Sequence, residues 1–201
     1  MIPSSIPSFR VGILVFPGAE ELDVLGPFDV FARARADLDL PVETLLLREG
    51  PTHDPVTLAH GLRVETHAQA EGAPPLDLLV VPGGPGTRRG GHVASVIEFL
   101  KRRAPSTPIA SVCTGALLLA DAGLLKGRKA TTHHEFLAEL QRREPAAEIV
   151  EERFVLGREV STSAGVTAGI DLALAILRER FGKDAAAKIA ARIEWNAGAS
   201  G

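Results

Sequence analysis

The chain alternates short, continuously apolar runs with longer segments that show a helical apolar period. Because four of the runs are apolar at consecutive positions, both faces of each must be covered, as in the central strands of a parallel sheet. These runs are RVGILVF (10–16), VETLLL (42–47), LDLLVV (76–81) and PIASV (108–112). The helical segments among them span 24–34, 92–103 and 114–119. Strands that alternate with helices predict an α/β fold with a mostly parallel sheet flanked by helices.

The second half continues this alternation with shorter elements. Segment 51–66 lacks helical periodicity and is predicted as a loop with a small hairpin, whereas 148–163 is predicted as paired strands that turn at Leu156–Gly157. A short strand at 129–132 precedes a helix at 134–142. Two further helices are predicted at 165–182, where Gly182 is a plausible stop, and at about 184–194.

Composition narrows the classes of function. A length of 201 residues fits one domain, and a net charge of −3 with scattered Lys and Arg gives no electrostatic footprint for nucleic acid. No apolar run approaches the roughly 18 residues of a membrane span, and the N-terminus MIPSSIPSFR lacks the features of a signal peptide. A single Cys excludes an internal disulfide and a cysteine-based zinc site. We therefore expect a cytoplasmic protein with no membrane or nucleic-acid partner.

The single cysteine, Cys113, stands where an apolar run gives way to a helical segment. Its context, SVCTG (111–115), has small residues two positions before and after it, as in a nucleophile elbow. At a helix N-terminus the sulfur meets unpaired N–H groups and the positive end of the helix dipole, so we predict a lowered thiol pKa. A free cysteine can equally be a small buried apolar residue, but the elbow context favours a nucleophile.

Two other loops are expected at the same edge of the sheet. VVPGGPG (80–86) ends a buried strand, and Gly83 and Gly84 let backbone N–H groups approach a ligand closely. The N–H of Gly84 paired with that of Thr114 would stabilise an anion beside the thiol, although an ordinary Gly/Pro turn also fits.

The loop after the first strand supplies three acids, Glu20, Glu21 and Asp23. One of them could handle a proton beside the thiol, with its pKa raised by burial; helix capping by Asp23 is the alternative, and the spacing does not choose.

Histidines give weaker signals. His133 or His134 could act as a base near the thiol, but the spacing in ATTHHEF (130–136) favours capping at a helix start, with Thr132 and Glu135 in a capping-box arrangement. His53, His60 and His67 recur every seven residues, yet the segment does not look helical, so no metal site is predicted. Trp195 is expected to serve packing or an interface.

Four stretches together resemble the ThiJ/PfpI superfamily, the class I glutamine amidotransferase-like fold. They are LVFPGAEELDVLGPFDVF, DLLVVPGGPG, SVCTGALLLADAGLLKGRKATTHHEFL and TSAGVTAGIDLALAIL. The resemblance makes 1–201 one domain with a core at about 10–191. It is strongest with the isonitrile hydratase branch and extends to the N-terminal ligand domains of AraC-type regulators.

The resemblance implies a flavodoxin-like three-layer sandwich, a homodimer and no cofactor or metal. Cys113 falls on the family nucleophile, and Asp23 falls on the carboxylate that contacts its sulfur. Gly84 and Thr114 match positions that line the anion pocket. Gly83 and His133 are further candidate binding residues from the sequence itself.

Three departures from the family pattern matter. Thr114 stands where proteolytic members carry His, which argues against a protease. His134 stands where hydratase-like sequences commonly carry Trp, which bears on the substrate. The regulators continue into a helix–turn–helix region, for which this chain, ending at Gly201, leaves no room.

The predicted function is therefore hydration of a small electrophile, an isonitrile, to an N-formamide through a thioimidate on Cys113. In this scheme Asp23 handles the proton and Thr114 steadies developing charge. The alternatives are glyoxalase or deglycase chemistry on small oxoaldehydes, and a redox-sensing or ligand-binding domain without catalysis.

Overall fold

The computed structural model describes residues 8–50 and 54–196. The strands in this part of the chain are β1 (Phe9–Val15), β2 (Val42–Arg48), β3 (Val56–Thr57), β4 (Arg63–Val64), β5 (Ala68–Gln69), β6 (Leu78–Val81), β7 (Ile109–Val112), β8 (Lys129–Ala130), β9 (Glu148–Ile149), β10 (Phe154–Val155) and β11 (Val160–Ser163). The α-helices are α1 (Glu21–Leu38), α2 (Val93–Arg103), α3 (Gly115–Asp121), α4 (Leu137–Arg143), α5 (Ala168–Phe181) and α6 (Lys183–Arg192).

A seven-stranded sheet in the order β10–β11–β7–β6–β1–β2–β5 forms the centre of the fold. Every pairing in it is parallel except that of β10 with β11. Strands β6 and β7 are buried at every position, as their continuous apolar sequence predicts. Helices α1, α5 and α6 pack together, while α2 packs against α3 and α3 against α4. Since parallel crossovers are right-handed, the two groups cover opposite faces, which confirms the predicted α/β sandwich.

The order of the strands determines where a site can form. From β1 the chain moves outward to β2, whereas from β6 it moves the other way to β7, and β1 pairs with β6. The loops after β1 and β6 therefore diverge and leave a crevice at the carboxyl edge of the sheet. Cys113 follows β7, the next strand along, so all three predicted loops meet at this crevice.

Helix α1 begins at Glu21, three residues before the predicted start at 24, and ends at Leu38 rather than 34. Acidic side chains in a first turn are stabilised by the helix dipole, and Glu21 and Asp23 occupy that turn. Asp23 is thus held by a helix rather than by a loop.

In the second half, β10 and β11 form the hairpin predicted to turn at Leu156–Gly157, whereas β9 pairs with β8 in a separate two-stranded sheet. The hairpin predicted within 51–66 is confirmed as β3 and β4; residues 51–53 lie outside the described part. Helix α4 is preceded by a 3₁₀ turn at His134–Phe136, so the predicted helix at 134–142 begins late.

Helix α5 ends at Phe181, and Gly182 follows with φ +92°, as predicted. Among the described residues, no helix is long and apolar enough to cross a membrane.

Candidate active site

Cys113 occupies a sharp turn between β7 and α3. Its φ is +55°, a value that residues other than glycine rarely adopt, and its side chain is buried. Its N–H donates to the carbonyls of Ser163 and Ala164, at 3.2 and 3.1 Å, which pins the turn to the end of β11. A Cβ on Gly115 would lie 2.4 Å from the carbonyl oxygen of Val81. The small residue two positions after Cys113 is therefore required, as in a nucleophile elbow.

Asp23 is completely buried at the start of α1. Its Oδ2 accepts the N–H of Gly83 at 2.9 Å. Its Oδ1 has no hydrogen-bond partner among the described residues, and the carboxyl group interacts with the Cys113 side chain. Of the three candidate acids, Asp23 is therefore the one that faces the thiol. Glu21 instead accepts the N–H of His60 at 2.7 Å on the surface side.

The Gly83–Gly84 segment bonds to both Asp23 and Thr114, and its N–H groups do not form the expected pair of donors to an anion. The Gly83 N–H is bonded to Asp23, and the Gly84 N–H donates to Oγ1 of Thr114 at 2.9 Å. The prediction that the N–H of Gly84 faces an anion beside the thiol is therefore wrong for this arrangement. A Cβ on Gly83 would lie 2.5 Å from the backbone nitrogen of Thr114, so this glycine is needed for the two loops to approach each other.

Two backbone N–H groups face the sulfur itself. Hydrogen bonds from the N–H groups of Thr114 and Val166 favour the Cys113 thiolate, and so does the Thr114 side chain. Val166 has φ +46°, which is strained for a β-branched residue. A positive φ is incompatible with a right-handed helix, so α5 begins at Ala168 rather than at the predicted 165.

The thiol pKa differs from the sequence prediction. Burial, and then the charge of Asp23, raises the pKa of Cys113 to about 12. The expected lowering is wrong because desolvation of the sulfur outweighs the N–H groups around it. Burial, together with the charge of Glu20, raises the pKa of Asp23 to about 8, in the predicted direction. At neutral pH the resting pair therefore holds a proton on the thiol and, for the most part, another on the carboxyl group.

An open cleft of about 420 Å³ adjoins the elbow. Both His133 and His134 line it, together with Gly165 and Val166. The two imidazole rings stack with centroids 4.3 Å apart. Burial, and then His134, lowers the pKa of His133, and its Nδ1 accepts the N–H of Glu135 at 3.3 Å. The neutral ring of His133 then carries its hydrogen on Nε2, so it is a hydrogen-bond donor in this state.

The histidines that recur every seven residues do not share a site. His67 accepts the N–H of Leu46 through Nδ1 at 3.0 Å, while Nδ1 of His60 lies 2.8 Å from Glu21 and 3.6 Å from Glu20. His53 lies outside the described residues. The ligand-capable atoms of His60, Glu20 and Glu21 lie within 4.8 Å of one another. Ion pairing of the exposed His60 with the two half-buried acids explains this spacing, so we assign no metal to them.

Sequence reasoning missed two residues at the site, Val166 and Arg88. The Arg88 guanidinium lies 4.3 Å from the centroid of the Phe136 ring, and its Nη1 lies 3.3 Å from Oγ1 of Thr87 and 3.5 Å from the Gly84 carbonyl. Its position just after the glycines that follow β6 was the available signal, since such loops line the crevice. The role of Val166 depends on backbone strain and has no sequence signal.

The chain is similar in sequence to several known proteins. Isonitrile hydratase of Pseudomonas putida is 35% identical over 193 residues, which cover 94% of this chain and 79% of that protein. The transcriptional regulator GbdR of Pseudomonas aeruginosa is 33% identical over 135 residues, or 67% of this chain and 36% of the regulator.

Among solved structures, a ThiJ/PfpI family protein from Pseudomonas syringae superposes with a TM-score of 0.81 at 27% identity, covering 100% of this chain and 86% of that one. Oxidised DJ-1 of Toxoplasma gondii, at 23% identity and a TM-score of 0.76, shares the fold over 94% of this chain and 99% of that one. Residues 9–179 match the DJ-1/PfpI family. This chain therefore belongs to the DJ-1/PfpI family.

Proposed function

We propose that this protein adds water to an isonitrile to give an N-formamide, with Cys113 as the nucleophile and Asp23 as the proton carrier. The observation that carries the proposal is the buried Asp23 carboxyl group, which interacts with the Cys113 side chain and has its pKa raised to about 8. A carboxyl group that stays protonated at neutral pH is a general acid. Similarity to the isonitrile hydratase of Pseudomonas putida supports the choice of substrate class.

The reaction balances with these two groups and water. Asp23 gives its proton to the isonitrile carbon while the Cys113 sulfur bonds to the same carbon, and the thiol proton passes to the Asp23 carboxylate. The product is a thioimidate, R–N=CH–S–Cys. Water then adds across the C=N bond, with its oxygen on carbon and a proton on nitrogen. Cleavage of the C–S bond releases R–NH–CHO, and the hydroxyl proton returns to the sulfur.

The surroundings of the sulfur suit this order of events. The thiol is not a resident thiolate, because its pKa is raised to about 12. The nucleophile is therefore deprotonated only as Asp23 loses its own proton to the substrate. The N–H groups of Thr114 and Val166 stabilise negative charge that develops on the sulfur in the transition state. The burial of both groups strengthens each of these interactions.

The raised thiol pKa also argues against the redox-sensing alternative. Oxidation by peroxide follows the fraction of thiolate and its exposure to solvent. Cys113 is 6% exposed and its pKa is raised to about 12, so we expect its oxidation at neutral pH to be slow.

The test is turnover of an alkyl isonitrile by the wild type, Cys113→Ala and Asp23→Asn, followed as N-formamide. Asp23→Asn is nearly isosteric and keeps an oxygen for the Gly83 N–H, so it removes the proton without emptying the site. We expect turnover by the wild type, none by Cys113→Ala and a rate lowered by at least about 100-fold for Asp23→Asn. Circular dichroism establishes that each variant is folded. Turnover by Cys113→Ala would refute the mechanism; turnover of methylglyoxal instead of the isonitrile would favour oxoaldehyde chemistry.

A further inference from the structure

Arg88 places a positive charge within electrostatic reach of the thiol. It lies in the loop after β6, beyond Gly83 and Gly84. No Asp or Glu carboxylate of the described residues lies within 4.0 Å of its guanidinium. The acid that acts on Arg88 electrostatically, Glu139, is itself bonded to Arg142 and Arg143. Arg143 also pairs with Asp121 at 2.6 Å, so the neighbouring arginine is neutralised and Arg88 is not.

The guanidinium is held in place by contacts that leave most of its donors unused. Its plane rests near the Phe136 ring, 4.3 Å from the centroid, which is the geometry of a cation–π contact. The hydrogen bonds that it donates within the described part of the chain both come from Nη1 and are long, at 3.3 Å to Thr87 and 3.5 Å to the Gly84 carbonyl. Among those residues, Nε and Nη2 therefore have no acceptor and can donate to a ligand. A guanidinium presents its donors in a fork that matches a carboxylate.

Arg88 also connects the two walls of the site. On one side, Oγ1 of Thr87 lies 3.2 Å from Oγ1 of Thr114, the residue whose N–H faces the sulfur. On the other side, Phe136 packs edge-on against His133, with ring centroids 6.0 Å apart. Burial lowers the pKa of Arg88 while the charge of Cys113 raises it, which agrees with a guanidinium that faces the sulfur. An anion bound by Arg88 would thus be attached to a molecule whose reactive atom meets Cys113.

We infer that Arg88 is a specificity-determining residue that binds a carboxylate of the substrate, so that the site selects small electrophiles carrying a carboxylate near the reacting carbon. As a statement about turnover this rests on the proposed function, but the affinity of the thiol site for anionic electrophiles does not. The two are therefore tested separately.

The first test uses two alkylating reagents of nearly equal shape, iodoacetate and iodoacetamide, which differ in charge. The rate of modification of Cys113 by each is measured by intact mass for the wild type, Arg88→Gln, Arg88→Lys and Arg89→Gln. We expect Arg88→Gln to lower the ratio of the iodoacetate rate to the iodoacetamide rate by about fivefold, because the attraction is between unit charges near the surface. Arg88→Lys should restore part of the ratio. Arg89→Gln removes the same charge one residue away and should leave the ratio unchanged.

The ratio separates this role from a structural one. If Arg88 merely supported the fold, Arg88→Gln would change the rates of modification by both reagents in the same proportion, and their ratio would stay constant. An unchanged ratio in Arg88→Gln, or an equal fall in Arg89→Gln, overturns the inference. A thiol that neither reagent modifies overturns it as well, since Arg88 would then not lie beside an open route to the sulfur.

The second test uses turnover of isocyanoacetate and of its methyl ester. We expect Arg88→Gln to raise the KM for isocyanoacetate about fivefold more than the KM for the ester, with Arg89→Gln unchanged for both. A KM that rises equally for both substrates overturns the inference. If no isonitrile is hydrated, the proposed function fails, and the alkylation ratio still decides the role of Arg88.

Discussion

The backbone N–H of Gly83 donates to Oδ2 of Asp23 at 2.9 Å, although the two residues are sixty positions apart in the chain. This bond joins the loop after β6 to the first turn of α1. It leaves the other carboxyl oxygen of Asp23 without a partner among the described residues, on a group that interacts with Cys113. The contact therefore orients the acid and keeps it available for proton transfer at the same time.

The first prediction concerns stability and pH. The pKa of Asp23 is raised in the folded protein to about 8 from 3.8, so the folded state holds a proton that the unfolded chain releases. The stabilisation from this group is complete below pH 4 and is lost as the pH rises towards 8. Asp23→Asn removes this loss, so its stability relative to the wild type should increase with pH, reaching roughly 2 kcal/mol or more at pH 9.

Urea unfolding of both proteins at pH 5, 7 and 9 measures this difference. A difference that stays constant across that range would contradict the raised pKa of Asp23.

The second prediction concerns the reactivity of the thiol. Because the pKa of Cys113 is raised to about 12, its alkylation by iodoacetamide should rise about tenfold per pH unit up to about pH 8. Above that pH the rise should be less steep, because the Asp23 carboxylate then forms and opposes the thiolate. Asp23→Asn lacks this carboxylate, so it should react faster than the wild type above pH 8 and similarly below pH 7. A plateau near pH 6 would instead indicate the lowered pKa that the helix N-terminus suggested.

The third prediction tests the close approach of the two loops. A Cβ on Gly83 would lie 2.5 Å from the nitrogen of Thr114, whereas one on Gly91 would meet nothing within 4 Å. Gly83→Ala should therefore lower the free energy of unfolding by about 2 kcal/mol or more, and it should lower turnover as Thr114 is displaced. Gly91→Ala is the matched control and should stay within about 0.5 kcal/mol of the wild type. Equal stabilities of the two variants in urea would show that the loops can separate without cost.

The fourth prediction uses the single tryptophan of the chain as a reporter. Nε1 of Trp195 donates to Oδ1 of Asp171 at 2.7 Å, and Arg153 donates to the other oxygen at 2.6 Å. Asp171→Ala should release the indole into water and shift its fluorescence to longer wavelength. Asp184→Ala, which changes an exposed acid in α6, should leave the spectrum unchanged. An identical spectrum in both variants would show that the indole is held by packing alone.

Much of the fold follows from local sequence. Consecutive apolar residues in β1, β6 and β7 require cover on both faces, which already implies a parallel sheet between helices. The hairpin of β10 and β11 follows from its turn at Leu156–Gly157. The small residue at Gly115 predicted the elbow at Cys113, since strand and helix cannot approach closely around a side chain at that position. These inferences succeed because each depends on neighbours a few residues apart.

The sequence alone determined the fold class and the elbow at Cys113. It also offered three candidate acids, one of which was expected to face the thiol. Only the tertiary structure decided that Asp23 is that acid, because the choice depends on which face of α1 meets Gly83 after folding. It also showed that the Gly84 N–H, predicted to bind an anion beside the thiol, bonds to Thr114 instead, that the N–H groups of Thr114 and Val166 face the sulfur, and that Arg88 lies within electrostatic reach of the thiol. The thiol pKa shows the reason most plainly. The helix N-terminus that lowers it is visible in the sequence, whereas the burial that raises it is a property of the whole packed molecule.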